Sequence, residues 1–349
     1  MTHTVRLADE DIEFACSEDT SVLDCALDQG IALPYGCRNG LCGSCKADLV
    51  SGEVDYPEGR PGGLSDEDIR ERRALLCRAH AKTDLELKVQ LVKDAPPVEI
   101  KTLPVRVKKI DQLSHDVVRL MLQLPSAEAF DYRAGQWIYF LLKDGRKRAF
   151  SIANAPNDRH ELELQIRHVE GGLFTDFVFN HLEEGAMLRI EGPHGNFFFH
   201  DDDRPLAMVA GGTGFAPLKG ILEELMERGG YDYPIHLFWG ARHREDLYQD
   251  ALIREWVEAG KLQLDYTPVL SEAGSEDDWS GETGFVHEAV LRHYPDLSAH
   301  AVYMAGPPPM IESCRDSFLA AGLDEAYLHY DSFEYSDDAR QAIESTDAD

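Results

Sequence analysis

No stretch of this 349-residue chain approaches the ~20 consecutive apolar residues that a membrane-spanning helix needs. Its opening, Met1 to Glu10, turns acidic at once and has no apolar signal core, so the expectation is a cytoplasmic protein. Basic residues are scarce, 34 against 64 acidic ones, and the formal net charge is −30 at pH 7. Such a surface repels phosphate backbones and anionic lipid, which excludes nucleic acid and membrane as expected partners. Two readings of the acidity stay open. An acidic face could dock a basic partner, or carboxylates spread along the chain could keep it hydrated in high salt. Their even spread, and the scarcity of Lys beside Arg, favour the second. Internal repeats are also absent, and the length suits two or three domains with cores of their own.

Cysteine is sparse but not scattered. Of seven, three fall in Cys37-Arg38-Asn39-Gly40-Leu41-Cys42-Gly43-Ser44-Cys45, and a fourth, Cys77, follows in Leu75-Leu76-Cys77-Arg78-Ala79. A glycine-rich loop spaced Cys-x4-Cys-x2-Cys can wrap a cluster and aim backbone N–H groups at its sulfurs; this is the plant-type [2Fe–2S] spacing. A four-cysteine zinc site usually comes as two Cys-x2-Cys pairs, which this chain lacks. A disulfide framework needs an oxidising compartment. Cys37, Cys42, Cys45 and Cys77 are therefore the expected iron ligands. Cys16, Cys25 and Cys314 are expected to be reduced, ordinary small residues.

Residues 1–93 read as a small α+β module. Val5-Arg6-Leu7 and Ile12-Glu13-Phe14 alternate as half-buried strands, Ser21 caps a short helix ending before Gly30, and Ser65 opens a second, acidic helix. Ala47 to Val50 and Leu85 to Val89 supply further strands. Lys93-Asp94-Ala95-Pro96-Pro97 then reads as a stiff linker. Over 102–201 short strands recur at Val105–Val107, Leu120–Leu124, Trp137–Phe140 and Leu162–Ile166, a spacing that predicts a small closed antiparallel barrel. From 202 to 333 buried strands alternate with helices. Leu206–Ala210, His236–Trp239 and Ala301–Met304 are strands, and Leu218–Arg228 is a helix with Pro217 near its start and Gly229 past its end. That pattern is an open parallel α/β sheet, the nucleotide-binding architecture. The acidic segment 334–349 reads as a disordered tail.

Motifs with chemistry sit on these modules. In the β-rich part, Arg148-Ala149-Phe150-Ser151 offers a planar fork for phosphate, an aromatic ring and a small hydroxyl. Ile166-Arg167-His168 ends a strand, and Gly171-Gly172-Leu173-Phe174-Thr175 brings glycine N–H groups and a hydroxyl to one turn. In the third module, Gly211-Gly212-Thr213-Gly214-Phe215-Ala216-Pro217 follows a buried strand and opens a helix, so it presents unpaired N–H groups to a pyrophosphate. It is not the Gly-x-Gly-x-x-Gly fingerprint of two-domain dehydrogenases. Phe238-Trp239-Gly240-Ala241-Arg242 and Ala305-Gly306-Pro307-Pro308-Pro309-Met310 end two more strands at the same sheet edge.

In this order the motifs resemble a plant-type ferredoxin of β-grasp fold fused to a reductase of the ferredoxin–NADP reductase superfamily, over residues 1 to about 333. The resemblance implies that Arg148 pairs with a flavin diphosphate, Phe150 lies against the flavin, and Ser151 sits near its reactive nitrogen. It makes Gly171, Gly172, Leu173 and Thr175 a second phosphate loop, with Ala149 and Ile166–His168 beside the flavin. It assigns Gly211, Gly212, Thr213, Gly214, Pro217, Gly240, Arg242, Gly306, Pro307 and Met310 to the nicotinamide nucleotide. Phe333 would stack on the flavin where nicotinamide must land; ordinary packing at a strand end is the other reading. Ala305 stands where many relatives carry Cys.

An N-terminal ferredoxin domain is the order of the FAD-carrying reductases of benzoate dioxygenase, methane monooxygenase and phenol hydroxylase type. The FMN-carrying phthalate dioxygenase reductases have that domain at the other end, so FAD is implied. Asp246-Leu247 points to NADH, while Arg242 and Arg244 leave NADPH open. The function implied is electron transfer from NADH through FAD and the cluster to an external protein. That acceptor is an oxygenase, or an iron–sulfur dehydratase such as that of the CDP-6-deoxy-Δ3,4-glucoseen pathway, with the chain working as a monomer. A free flavin or quinone reductase, and a redox sensor that uses the cluster as a switch, are the alternatives.

Overall fold

The computed structural model describes residues 1–92, 99–128, 130–158 and 160–333. The linker expected at 93–97 and the tail expected at 334–349 lie outside the described residues. The chain divides into two compact units, Met1–Val98 and Glu99–Asp349.

The first unit runs β1 (Thr2–Leu7), β2 (Ile12–Ser17), α1 (Val22–Asp28), β3 (Lys46–Ser51), β4 (Val54–Asp55), α2 (Asp66–Arg70), β5 (Arg73–Leu75), β6 (His80–Ala81) and β7 (Leu85–Lys88). Its five-stranded sheet has the order β2-β1-β7-β3-β5, with β4 and β6 as a separate pair. Only the β1–β7 pairing in that sheet is parallel. Alternation puts Val5, Leu7, Phe14 and Leu87 on the face that α1 covers with Val22, Leu23 and Ala26. Each such large apolar side chain contributes about 1.5–3 kcal/mol when fully buried.

Both helix starts follow from their caps. The Ser21 hydroxyl accepts from the Asp24 N–H, and Ser65 and Asp68 form a reciprocal capping box. Asp68 does more than cap. Its carboxylate accepts from Lys46 at 2.9 Å and Arg73 at 3.1 Å, which fixes the segment after Cys45 to the strand leading to Cys77. Burial would raise its pKa, but the bonds from Lys46 and Ser65 outweigh burial and hold the carboxyl well below its ordinary range.

Cys16 and Cys25 correct the expectation of reduced thiols. They are joined in a disulfide. Cys16 faces inward from β2 and Cys25 faces it from the first turns of α1, with Cα atoms 5.3 Å apart, a spacing that suits a bridge. Both sulfurs lie in the core, shielded from external thiols. Cys314 is free and buried, as expected.

The second unit opens with β8 (Lys101–Gln112), β9 (Val117–Gln123), β10 (Trp137–Leu141), β11 (Lys147–Ser151), β12 (Glu161–Arg167), α3 (Leu173–Asn180) and β13 (Met187–His194). These strands form one antiparallel sheet of order β11-β10-β13-β8-β9-β12. The predicted closed barrel is not found among the described residues. The edge strands β11 and β12 meet at a single bridge, Ile152 to Leu164, just past the end of the five-residue β11. Leu103, Val105, Leu120, Ile138, Leu164 and Ile190 fill the inside of the sheet, and α3 adds Phe174 and Val178.

The rest runs β14 (Leu206–Gly211), α4 (Phe215–Glu227), β15 (Ile235–Ala241), α5 (Asp250–Ala259), β16 (Leu264–Leu270), β17 (Glu282–Thr283), α6 (Val286–His293), β18 (Ala301–Gly306), α7 (Pro308–Ala320) and β19 (Leu328–Ser332). The sheet order is β17-β16-β15-β14-β18-β19, and every pairing is parallel. The centre strand shows why its sequence is apolar throughout. Leu206, Met208 and Ala210 enter one core and Ala207 and Val209 the other, so both faces are covered. Helix α4 starts at Phe215, before the expected Leu218, which places Pro217 in its first turn, where a missing N–H costs nothing. The chain moves outward from β14 through β15, β16 and β17, then returns to its other side with β18. The crevice at the carboxyl ends of β14 and β18 is therefore the switch point at which such sheets bind nucleotides. Among the described residues no helix is long and apolar enough to cross a membrane.

Candidate functional site

Cys37, Cys42 and Cys45 lie on the loop between α1 and β3, and Cys77 lies in the turn after β5. The sulfurs sit among backbone donors. The Cys37 N–H points at the Cys42 Sγ, the Cys42 N–H at the Cys37 Sγ and the Cys77 N–H at the Cys45 Sγ, each at 3.4 Å. Ser44 Oγ is 3.3 Å from Cys42 Sγ. A Cβ on Gly36 would come within 3.3 Å of that same sulfur, so the loop leaves no side-chain room there. Arg38 holds a left-handed backbone at φ 58°, fixed by an ion pair to Asp24 of α1. The neighbouring thiol first, and burial second, push the Cys37 and Cys77 thiols up. The hydrogen bond with Cys37 brings Cys42 down to about 6. Four sulfurs sharing charge in a hollow of N–H donors fit a [2Fe–2S] cluster.

In the second unit, β11 carries the Arg148–Ser151 motif. Arg148 and Phe150 are half-buried, Ala149 is exposed and Ser151 is buried. The Phe150 ring packs at 5.8 Å on Phe140 and 5.5 Å on Phe174, which ties β11 to α3. Gly172 is the N-cap of α3, and a Cβ there would meet Thr175 Oγ1 at 2.9 Å, so only glycine lets the turn close over this helix start. The Thr175 hydroxyl is engaged within that turn: it accepts from the Val169 N–H at 3.1 Å and lies 2.9 Å from the Val169 carbonyl. It shapes the loop rather than reaching outward. Leu173 is exposed, and Ile166 is buried in the sheet core. Arg167 bonds Asp116 at 2.5 Å and reaches Asp246 at 3.9 Å, while His168 bonds Asp176 at 2.8 Å and stacks on Phe179. The start of α3, with glycine at its N-cap, presents backbone N–H groups of the kind that suit a phosphate.

The nucleotide motifs pack backbone on backbone. A Cβ on Gly214 would lie 1.9 Å from the Ala305 carbonyl oxygen, and one on Gly211 would lie 2.4 Å from Met310 Sδ. The glycine turn after β14 is thus seated on the Ala305–Pro307 turn after β18. Trp239 of β15 donates from Nε1 to the Gly212 carbonyl at 2.9 Å and stacks on Phe215, so the third strand end grips the same turn. Gly240 follows, with Val286 of α6 against its Cα. Arg242 is exposed and 3.7 Å from Glu272. Asp277 accepts the Arg244 N–H at 2.7 Å and faces His243 Nδ1 at 3.4 Å. The Arg244 N–H bond first, with others, lowers the Asp277 carboxyl, and Asp277 in turn raises His243. Arg242 and His243 thus face carboxylates, while the Arg244 guanidinium donates to the Asp277 carbonyl at 3.3 Å.

The flavin and nucleotide motifs meet at β19. Ser151 Oγ donates to Asp331 at 3.2 Å, both groups being buried. Ser332 pairs with Gly306, and the Phe333 N–H donates to the Gly306 carbonyl at 2.8 Å. Ser151, Gly306 and Phe333 are so brought to one place, with Phe333 half-buried and packed against the core of the parallel sheet. Asp331 is the residue that sequence reasoning missed. Its only signal was a position two residues before Phe333.

A four-thiol module, an antiparallel sheet with a phosphate turn and a parallel nucleotide sheet define an oxidoreductase of the ferredoxin-reductase class. Family models match all three: a 2Fe-2S iron-sulfur cluster binding domain over residues 5–82, an oxidoreductase FAD-binding domain over 104–199, and an oxidoreductase NAD-binding domain over 208–316. The chain is 39% identical over 333 residues to the CDP-6-deoxy-L-threo-D-glycero-4-hexulose-3-dehydrase reductase of Yersinia pestis, covering 95% of this chain and 99% of that one. It is 34% identical over 334 residues to the terephthalate 1,2-dioxygenase reductase component 1 of a Comamonas species, covering 95% and 98%. Among solved structures it is similar to an Amycolatopsis cytochrome P450 reductase, with TM-score 0.77, 29% identity and coverage of 95% and 98%. The chain belongs to the family of iron–sulfur flavoprotein reductases, NAD(P)H-dependent oxidoreductases that carry [2Fe–2S], FAD and NAD domains in one polypeptide.

Proposed function

We propose that the chain takes electrons from NADH and passes them through FAD and the [2Fe–2S] cluster to an external acceptor protein. The meeting of Ser151, Asp331, Gly306 and Phe333 carries the reading, because it joins the flavin motif to the nicotinamide motif. In this reading Arg148 and the turn Gly171, Gly172, Leu173 hold the flavin diphosphate, with Thr175 shaping that turn. Ala149, Phe150, Ile166, Arg167 and His168 flank the flavin. Ser151 stands at its reactive edge with the hydroxyl oriented by Asp331, and Phe333 covers the place where nicotinamide lands. Gly211, Gly212, Thr213, Gly214 and Pro217, with Gly306, Pro307 and Met310, hold the nucleotide, and Gly240 and Arg242 border its adenosine end. Bound flavin supplies the conversion of a two-electron hydride into the single electrons a cluster accepts.

Glu272 beside Arg242, and Asp277 on the backbone N–H of Arg244, favour NADH, since a 2′-phosphate would meet negative charge there. The finer anatomy belongs to the same proposal: a β-grasp ferredoxin domain at 1–93, an antiparallel FAD domain at 102–201 whose edges meet at the Ile152–Leu164 bridge, an NAD domain at 202–333 and an acidic tail at 334–349. We place the protein in the cytoplasm as a monomer, since one chain carries every cofactor domain. The names of its relatives support an oxygenase or a sugar dehydrase as acceptor. The purified protein is expected to hold FAD together with iron and acid-labile sulfide. It should reduce cytochrome c with NADH at a kcat/KM about tenfold or more above that with NADPH. Missing FAD, or no turnover with either nucleotide, would overturn the reading. Equal use of the two would overturn the choice of NADH alone.

A further inference from the structure

Lys219 is 3% exposed on α4, and its ammonium spends all its donors inside the second unit. It bonds Glu223 at 2.7 Å on its own helix, Glu163 of β12 at 3.1 Å, and the Ala153 carbonyl just past β11 at 3.0 Å. The network continues on both sides. Glu163 accepts from Gln165 at 3.0 Å, Gln165 donates to Gln249 at 2.9 Å and accepts from Tyr248 at 2.7 Å. Glu223 accepts the Ala155 N–H at 3.3 Å. Burial, ahead of the opposing pull of Lys219, raises the Glu223 carboxyl. The helix backbone is close as well. A Cβ on Gly220 would lie 3.2 Å from the Asn154 carbonyl oxygen and 3.3 Å from that of Ile152.

This network joins two pieces of chemistry that the sequence keeps apart. Lys219 lies five residues after Gly214, at the start of the helix that the glycine turn opens. Ala153 lies two residues after Ser151, and Glu163 lies three before Ile166. A buried ion pair is a poor source of net stability, but it has one well-defined geometry. Hydrophobic contact alone would let α4 slide on β11 and β12. We infer that Lys219, through Glu163 and the Ala153 carbonyl, is a positioning residue that sets the nucleotide turn in register with the Ser151 end of β11, and so sets the approach of nicotinamide to flavin. The inference rests on the function proposed above.

The test compares the wild type with Lys219→Met and with Lys219→Met/Glu163→Gln. The double variant keeps side-chain volume and removes the Glu163 charge together with that of Lys219, leaving Glu223 the Ala155 N–H as donor, so it serves if the single variant does not fold. In stopped flow at saturating NADH, flavin reduction in the double variant should slow by about tenfold or more, while the apparent NADH affinity stays within about threefold. The long-wavelength charge-transfer absorbance of the nicotinamide–flavin complex should fall with it. In the flavin-free protein, amides of 152–155 and 215–223 should exchange faster with solvent. A double variant with full FAD content that keeps either the wild-type rate or the wild-type charge-transfer band overturns the inference. If the wild-type flavin itself is not reduced by NADH, the proposed function fails instead.

Discussion

Replacing Cys42 with serine is expected to remove the visible iron–sulfur absorption and nearly all cytochrome c reduction, while flavin content and ferricyanide reduction stay near wild type. On the proposed reading the soft thiolate binds iron here, and a hydroxyl is both harder and far less acidic. Cys42 also holds its neighbours in place: its sulfur takes the Cys37 N–H and lies against Ser44, so its loss disturbs the loop that presents Cys37 and Cys45. The flavin and nucleotide motifs belong to the other compact unit, whose cores are built from that unit's own residues. Ferricyanide is small enough to take electrons directly from flavin, whereas cytochrome c needs the cluster. Absorption spectra, iron content and the two acceptor assays decide it. Cytochrome c reduction at the wild-type rate by cluster-free protein would mean that the cluster is not on the electron path.

The second large effect is expected at Gly214. Its backbone, φ −58° and ψ −14°, is open to any L residue, so the demand for glycine is one of space alone. A methyl group there would stand 1.9 Å from the Ala305 carbonyl oxygen and 2.4 Å from its carbon, backbone atoms that cannot swing aside. Gly214→Ala must therefore lift the turn after β14 off the end of β18, parting the two surfaces proposed to hold the nucleotide. Overpacking of this kind costs about 1–3 kcal/mol of stability. The larger effect is on chemistry, where a displacement of about 1 Å can cost about a hundredfold. NADH-driven turnover should fall on that scale, with FAD and cluster content retained and chemical reduction of the cluster by dithionite unaffected. Turnover within a few-fold of wild type would show that the two turns need not touch.

What was legible from the sequence is what is local in it. The four thiols proposed as iron ligands are picked out directly, because three of them sit in nine residues and the loop that carries them makes its own geometry. Ser21 and Ser65 announce their helices for the same reason, since a cap acts over three residues. The apolar strands at Leu206 and Ala301 are legible because burial on both faces removes the polar half of the pattern. The contacts that assemble the site are not local. Asp331 meets Ser151 across 180 residues, and Lys219 meets Glu163 across 56, so neither partner marks the other. The bridge between Cys16 and Cys25 is not legible because the expectation of reduced thiols rests on compartment, and a strand and a helix side by side show no common period that would pair them. The barrel was overdrawn because strand spacing reports strand number, whereas closure depends on how the last edges meet. Here β11 is short, and Ile152–Leu164 is the one bridge between its end and β12 among the described residues.

The most direct test of the account is the order in which the two centres of the intact protein are reduced. Anaerobic protein mixed with NADH in a diode-array stopped-flow instrument is expected to lose flavin absorbance first. Cluster absorbance should fall afterwards, at a rate that no longer depends on NADH concentration. The Cys42→Ser protein should show the first phase alone. Cluster bleaching that precedes flavin bleaching, or cluster bleaching by NADH in flavin-free protein, would contradict the proposed path.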